Sequence, residues 1–213
     1  MAAALRVIGA LIAAFLCGSI PFAVLVSRLF FHTDIREHGS GNPGATNTAR
    51  ILGPAAGVAV FVLDAAKGAA GVAIARLVVL GWTGDARDWV LVGAALAAMA
   101  GHAFSPFIGF RGGKGVATAA GAAVVLMPVA CGVSLLTFLA VLWVGRMVSL
   151  GSVVIACELP VLMVLLYGDR TPMVLFGFAA GAFVLWRHHD NIGRIFAGQE
   201  ATISLGSWKR VSS

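Results

Sequence analysis

The sequence predicts an all-α fold: a polytopic membrane helix bundle of about seven transmembrane helices, one domain over residues 1–213, its site built by short Gly-rich cytoplasmic loops. Three observations carry this. Of 213 residues, 60% are hydrophobic and only 11% charged, whereas a soluble domain carries about a quarter charged residues. Mean hydropathy is +0.96, the reverse of what disorder needs. The apolar stretches are long and continuous; transmembrane barrels give short alternating ones.

A crossing takes about 20 apolar residues. Residues 7–27 are uncharged and form the first; with no small-residue cleavage site, this stretch is expected to be retained. Residues 54–82 form the second, although they carry Asp64 and Lys67, and residues 89–110 form the third. Residues 148–167, with Glu158, and residues 171–186 close the series. Between them, residues 115–145 are uncharged and interrupted by Met127-Pro128. Three polar segments remain, at 32–53, 110–115 and 187–213, sharing Gly, Asn, Ser, Arg, Lys and His.

If those segments form one site, they lie on one side of the membrane. That requires 115–145 to cross twice, hinged at Pro128, for seven crossings in all. The two helices are then short, about 22 Å each for about 15 residues. Charge agrees. Arg28, Arg36, Arg50, Arg111, Lys114, Arg146, Arg187, Arg194, Lys209 and Arg210 fall on the shared side, against Arg6, Arg76, Arg87 and Arg170 on the other. The shared side is therefore cytoplasmic. No internal repeat points to an inverted-repeat transporter. Cys17, Cys131 and Cys157 sit in apolar stretches without CxxC spacing, which excludes redox and metal work. No segment is polar enough to be a nucleic-acid module.

The first polar segment contains Gly39-Ser40-Gly41-Asn42-Pro43-Gly44-Ala45-Thr46-Asn47-Thr48-Ala49-Arg50. Asn before Pro reads as a helix start, with Asn42 capping and Pro43 in the first helical position. Glycines let a ligand approach the backbone, and free N–H groups at a helix start attract anions. Ser40, Asn42, Thr46 and Asn47 add neutral donors. Arg50, one turn beyond Thr46, can fork onto a phosphate. The literal GxGxxG is not a dinucleotide fingerprint, which needs a preceding strand.

The second segment, Arg111-Gly112-Gly113-Lys114-Gly115, departs from the Walker pattern at Ile108 and Gly115. It still offers glycines, a point charge and a following helix, so Lys114 with Arg111 can hold a second anion. The third runs Arg187-His188-His189-Asp190-Asn191-Ile192-Gly193-Arg194. His188 and Asn191 share a helix face and can touch a substrate, and Arg194 is a further phosphate-binding candidate. Adjacent histidines point apart, and no HExxH-type spacing exists, so no metal is expected. Ser149 and Ser152 share a face at the cytoplasmic edge and are further ligand candidates. Asp64 and Lys67, three apart, can pair inside the membrane; His102 reads as a structural histidine.

Several anion sites beside an apolar bundle imply more than one phosphate and an acyl chain. GxSxG and HxxxxD are absent, so acyl transfer would use a donor already activated by its own phosphate. Here the chain resembles the bacterial acyl-phosphate-dependent glycerol-3-phosphate acyltransferase family. The resemblance rests on Gly18-Ser19-Ile20-Pro21, Asp34-Ile35-Arg36 and residues 39–50. It continues through Leu63-Asp64 with Lys67-Gly68, Gly101-His102 with residues 110–118, and Arg187-His188 with Asn191, Ile192, Arg194, Gly198 and Glu200. It spans most of the chain, leaving out Pro128 and the tail beyond Glu200.

The resemblance implies acyl transfer from acyl phosphate to the 1-hydroxyl of glycerol 3-phosphate, without a cofactor, in the bacterial cytoplasmic (inner) membrane, by an enzyme expected to be monomeric. Ser40, the glycine backbone and Arg50 would bind one phosphate. Lys114 with Gly112 and Gly113 would bind the other, and His188 and Asn191 would orient the acceptor. The general base is either His188 or a substrate phosphate oxygen. A rival reading, a phosphate or organophosphate transporter, would use Asp64, Lys67 and Glu158 as a midplane relay.

Overall fold

In the computed structural model, residues 1–203 are described. Lys209 and Arg210, used in the charge argument, lie outside the described residues. The described residues fold into α-helices joined by short loops and two single 3-10 turns. The helices are α1 (Ala2–Ser19), α2 (Phe22–Phe31), α3 (Ala45–Leu52), α4 (Pro54–Val78) and α5 (Gly84–Ala103). They continue with α6 (Val116–Leu126), α7 (Pro128–Gly145), α8 (Val148–Tyr167), α9 (Thr171–Arg187) and α10 (His189–Phe196).

Among the described residues, five stretches are long and apolar enough to cross a membrane: Ala2–Phe31, Pro54–Val78, Gly84–Ile108, Pro128–Gly145 and Val148–Tyr167. Val116–Leu126 and Thr171–Arg187 are apolar but shorter. The break expected at Met127-Pro128 is present, since Pro128 opens α7 and Met127 leaves helical geometry.

The first crossing is not the continuous 7–27 helix expected. Pro21 removes a donor, and Ile20 before it turns extended, at φ −58° and ψ 118°. At this break the Ile20 carbonyl accepts the Phe22 N–H at 3.1 Å and Lys67 Nζ at 2.7 Å. The second crossing stops at Val78 rather than reaching Trp82, whose N–H closes a turn onto Val79.

α1, α4, α5 and α6 pack backbone against backbone. A Cβ at Gly68 of α4 would run into the Thr118 carbonyl of α6, and one at Gly121 into the Ala65 carbonyl. Gly18 and Gly101 make the same contact between α1 and α5. In lipid, where apolar area gives no preference for helix over solvent, small residues let helices meet. The core between these helices and α9 includes Val72, Ala98, Met99 and Phe176, all fully buried. α7 lies at the edge, packed on α8 and α6. Its Leu136, Trp143 and Val144 are exposed, as suits a lipid-facing wall. Glu158 of α8 accepts a 2.7 Å hydrogen bond from Thr137 of α7.

Candidate active site

The three polar segments meet at one end of the bundle around a cavity of about 710 Å³. Its first wall is the 38–50 loop and α3. Asp34 anchors the approach, bonding Arg36 at 2.6 Å and Arg28 at 2.7 Å; these bonds hold its carboxyl well below the usual carboxylate range. Asn47 then pins the loop. Its amide donates to the carbonyls of Ile35 (3.2 Å) and His38 (2.9 Å), and its Oδ1 accepts the Ser40 N–H at 3.0 Å. Asn47 touches the cavity, but its hydrogen bonds are internal.

Asn42 and Pro43 do not start the helix. The Asn42 carbonyl accepts the Gly44 N–H at 2.9 Å in a tight turn. Gly44 is the cap and α3 begins at Ala45. The helix start still faces the cavity: Gly39, Ser40, Asn42, Gly44, Thr46 and Arg50 all line it. Arg50 is exposed and has no acidic partner among the described residues. Gly41, in a left-handed turn at φ +68°, lies off the cavity.

The second wall corrects a sequence expectation. Gly112 and Gly113 do not present their N–H groups to a ligand. They donate to the Ala103 and His102 carbonyls at 3.0 and 3.2 Å, folding the loop onto the end of α5. Both of their carbonyls accept the Arg187 guanidinium at 3.0 Å. Their missing side chains serve packing, because a Cβ on Gly113 would strike the His102 ring. Arg111 is exposed and off the cavity. Gly115 caps α6 at φ +82° and lines the cavity. Lys114 reaches in and bonds Asn191 Oδ1. Burial lowers its pKa to about 8, with Glu200 resisting the shift.

The third wall joins α9 to α10. His188 ends α9 with its ring against the Val184 carbonyl at 2.8 Å. A carbonyl only accepts, so Nδ1 carries the proton and Nε2 of the neutral ring is an acceptor. Burial, reinforced by the Lys114 charge, lowers its pKa to about 4. Asn191 donates to Glu200 at 2.6 Å. Glu200 also accepts from Ser149 (2.7 Å) and Arg194 (2.7 Å). Burial opposes its charge, but those hydrogen bonds outweigh it and keep the carboxylate below its ordinary pKa. Arg194 is therefore already paired. Ser149 and Ser152 both line the cavity, Ser152 bonding its own helix at Val148.

Sequence reasoning left several ionisable lining residues out of the site, among them Arg187, Glu200, Asp64 and His102. Arg187 reads as a topological anchor at a span's end, and Glu200, although part of the family resemblance, lies nine residues beyond Asn191 with nothing in the spacing to say that it folds back. Asp64 pairs with Lys67 at 2.7 Å, and His102 stands 3.6 Å from Asp64. Phe61, Val116, Ala117, Phe138, Val148 and Ile203 make an apolar side to the cavity. Among the described residues, no group of three or more His, Cys, Asp or Glu side chains gathers to hold a metal.

The family model described as glycerol-3-phosphate acyltransferase matches residues 8–198. A glycerol-3-phosphate acyltransferase of Syntrophomonas wolfei is 40% identical over 91% of this chain and 95% of its own length. One from Lactiplantibacillus plantarum is 39% identical over 97% of both chains. Among solved structures, the glycerol 3-phosphate form of PlsY (YgiH), an integral membrane glycerol 3-phosphate acyltransferase, superposes with a TM-score of 0.83 at 36% identity over 96% of each chain. Its lysophosphatidic acid form gives 0.82 at 35% identity, covering 93% of this chain and 95% of that one. With the match running through all three walls of the cavity, the chain belongs to the glycerol-3-phosphate acyltransferase family.

Proposed function

We propose that the chain transfers a fatty acyl group from acyl phosphate to the 1-hydroxyl of glycerol 3-phosphate, giving lysophosphatidate and inorganic phosphate. One observation carries the reading. A single cavity carries Arg50 and Lys114 on different walls and an apolar side formed by Phe61 and Phe138, while its other two cations are engaged, Arg187 by the Gly112 and Gly113 carbonyls and Arg194 by Glu200. Two phosphates and one chain fit that division. The family membership supplies the acyltransferase class, and the similar PlsY structure is a glycerol 3-phosphate form.

Chemically, the acceptor hydroxyl oxygen bonds to the acyl carbonyl carbon, the bond from that carbon to the phosphate oxygen breaks, and the hydroxyl proton must leave. The mixed anhydride needs no enzyme nucleophile, so positioning and charge neutralisation supply the rate. Lys114 sits where charge grows on the departing phosphate. Arg50, Ser40 and the start of α3 hold the other phosphate. Asn191, turned by Glu200, and His188, through Nε2, orient the acceptor. A histidine with a pKa near 4 is a weak base, which favours a substrate phosphate oxygen as proton acceptor.

The same reading makes the protein a one-domain, multi-pass, monomeric enzyme of the bacterial cytoplasmic membrane, with the cavity facing the cytoplasm. α6 and α9 act as short crossings that bring the count to seven. Arg36, Arg50, Arg111, Lys114, Arg187 and Arg194 belong to the polar segments that meet at the cavity, and Arg28 and Arg146 stand at the ends of α2 and α7, which supports that orientation.

The test is turnover by the detergent-purified protein with glycerol 3-phosphate and palmitoyl phosphate, palmitoyl-CoA or palmitoyl-carrier protein in separate reactions. Lysophosphatidate and free phosphate from acyl phosphate alone are expected. Product only from the thioesters overturns the donor assignment. No product from a folded sample that still binds glycerol 3-phosphate returns the transporter reading to first place.

A further inference from the structure

We infer that the opposite end of the bundle holds the phosphate headgroup of an anionic phospholipid between Arg76, Arg87 and Arg170. A second cavity of about 200 Å³ opens there. Three helices bring their guanidiniums to it: Arg76 from the last turn of α4, Arg87 from the first turn of α5, and Arg170 at the cap of α9. Leu91, Leu126 and Met173, all buried, also line it.

The charges are unbalanced. Asp88 takes both hydrogen bonds of Arg170 at 2.7 Å. Neither Arg76 nor Arg87 pairs with a carboxylate among the described residues. Two uncompensated guanidiniums facing one small cavity repel each other unless an anion sits between them. Arginine forks suit phosphate oxygens, which take two parallel hydrogen bonds. Positive residues are sparse on this side of the molecule, so topology does not explain three of them in one cavity.

The position selects a lipid over a dissolved ion. Arg76 lies about 18 Å along α4 from Asp64, and Arg87 about 22 Å along α5 from His102, so the site is at the far interface. Leu77, Leu80, Trp82 and Trp89 stand exposed around it, and tryptophans at that depth belong to the headgroup belt. An apolar surround suits a headgroup whose chains continue into the bilayer. α4, α5, α6 and α9 all line both cavities, so a headgroup here ties together the helices that build the active site. The inference does not depend on the identity of the acyl donor.

The experiment compares wild type with R76Q/R87Q in detergent micelles containing dioleoyl-phosphatidylglycerol or dioleoyl-phosphatidylcholine, with inorganic phosphate as a third addition. Tm and retained lipid by native mass spectrometry are the readouts. Wild type should gain about 2–4 °C from phosphatidylglycerol over phosphatidylcholine and keep one extra anionic lipid; the variant should do neither. Acyltransferase turnover of the variant in phosphatidylcholine micelles should match wild type, showing it folded. If the double variant fails to fold, Arg76→Gln alone, a change at an exposed side chain, should lose most of the shift. Equal shifts in both proteins overturn the site. An equal shift from inorganic phosphate alone that is lost in R76Q/R87Q assigns the anion site to free phosphate and overturns the lipid.

Discussion

The two sides of the catalytic cavity hold their polar groups in opposite ways. Around α3, one buried amide, Asn47, satisfies the loop backbone, and the charge, Arg50, is left without a partner. Across the cavity, Lys114, Asn191, Glu200, Arg194 and Ser149 are joined into one chain of hydrogen bonds. The first side is a finished scaffold with an open charge. The second is a network in which one carboxylate stands against two cations and each charged group already has a hydrogen-bond partner, so a ligand there exchanges partners rather than filling a vacancy. An anion on Lys114 competes with Asn191, and the cost of separating the pair falls because Asn191 keeps Glu200.

The largest expected effect separates the two charges from their supports. Arg50→Ala and Lys114→Ala should each lower kcat/KM by about 10²–10³ while leaving the folded fraction near wild type, measured by initial rates and size-exclusion profiles. Wild-type rates in either would break the assignment of two phosphate holders. Next comes the scaffold: Asn47→Ala removes three hydrogen bonds of about 1 kcal/mol each. It should therefore lower Tm as well as activity, whereas Arg50→Ala lowers activity alone. A Tm unchanged by Asn47→Ala would show that the loop is not pinned as described.

A smaller effect reports the network's electrostatics. With Lys114 at a pKa of about 8, its ammonium is present below that pH and lost above it, so kcat/KM should fall as pH rises through about 8. Glu200 resists the downward shift. Glu200→Gln should therefore move the falling limb to lower pH, and a limb that stays in place would remove Glu200 from the circuit. The smallest effect concerns His188. Its neutral ring, with a pKa near 4, contributes no titration between pH 5 and 7. A limb near pH 6.5 in wild type that vanishes in His188→Gln would make His188 the base after all.

Much of this was legible in the sequence, for identifiable reasons. Crossings are legible because the bilayer imposes a length on apolar runs, and the break at Pro128 because a proline inside such a run leaves little choice. Pro21 carries the same signal, but uncharged flanks hid it. The site was legible as three segments and misread within them. Glycines that let a phosphate approach and glycines that let a loop pack against α5 look alike on paper, so Gly112 and Gly113 read as ligand groups. Arg194 read as free because Glu200, six residues on, returns to it only through the turn after α10. Asn42 read as a cap because Asn-Pro is a common start; the turn it makes with Gly44 delays the helix by two residues.

The bond from Lys67 to the Ile20 carbonyl also bears on how the chain enters the membrane. Inserted alone, the first crossing carries a broken helical ladder into hydrocarbon, its Ile20 carbonyl held only by the Phe22 N–H at 3.1 Å. The α4 segment alone carries an ammonium and a carboxylate into the same medium. Together, each supplies what the other lacks. The insertion machinery would therefore do best to release these two segments as a pair, although 22 residues separate α2 from α4, and the earliest committed step in biogenesis would be their pairing.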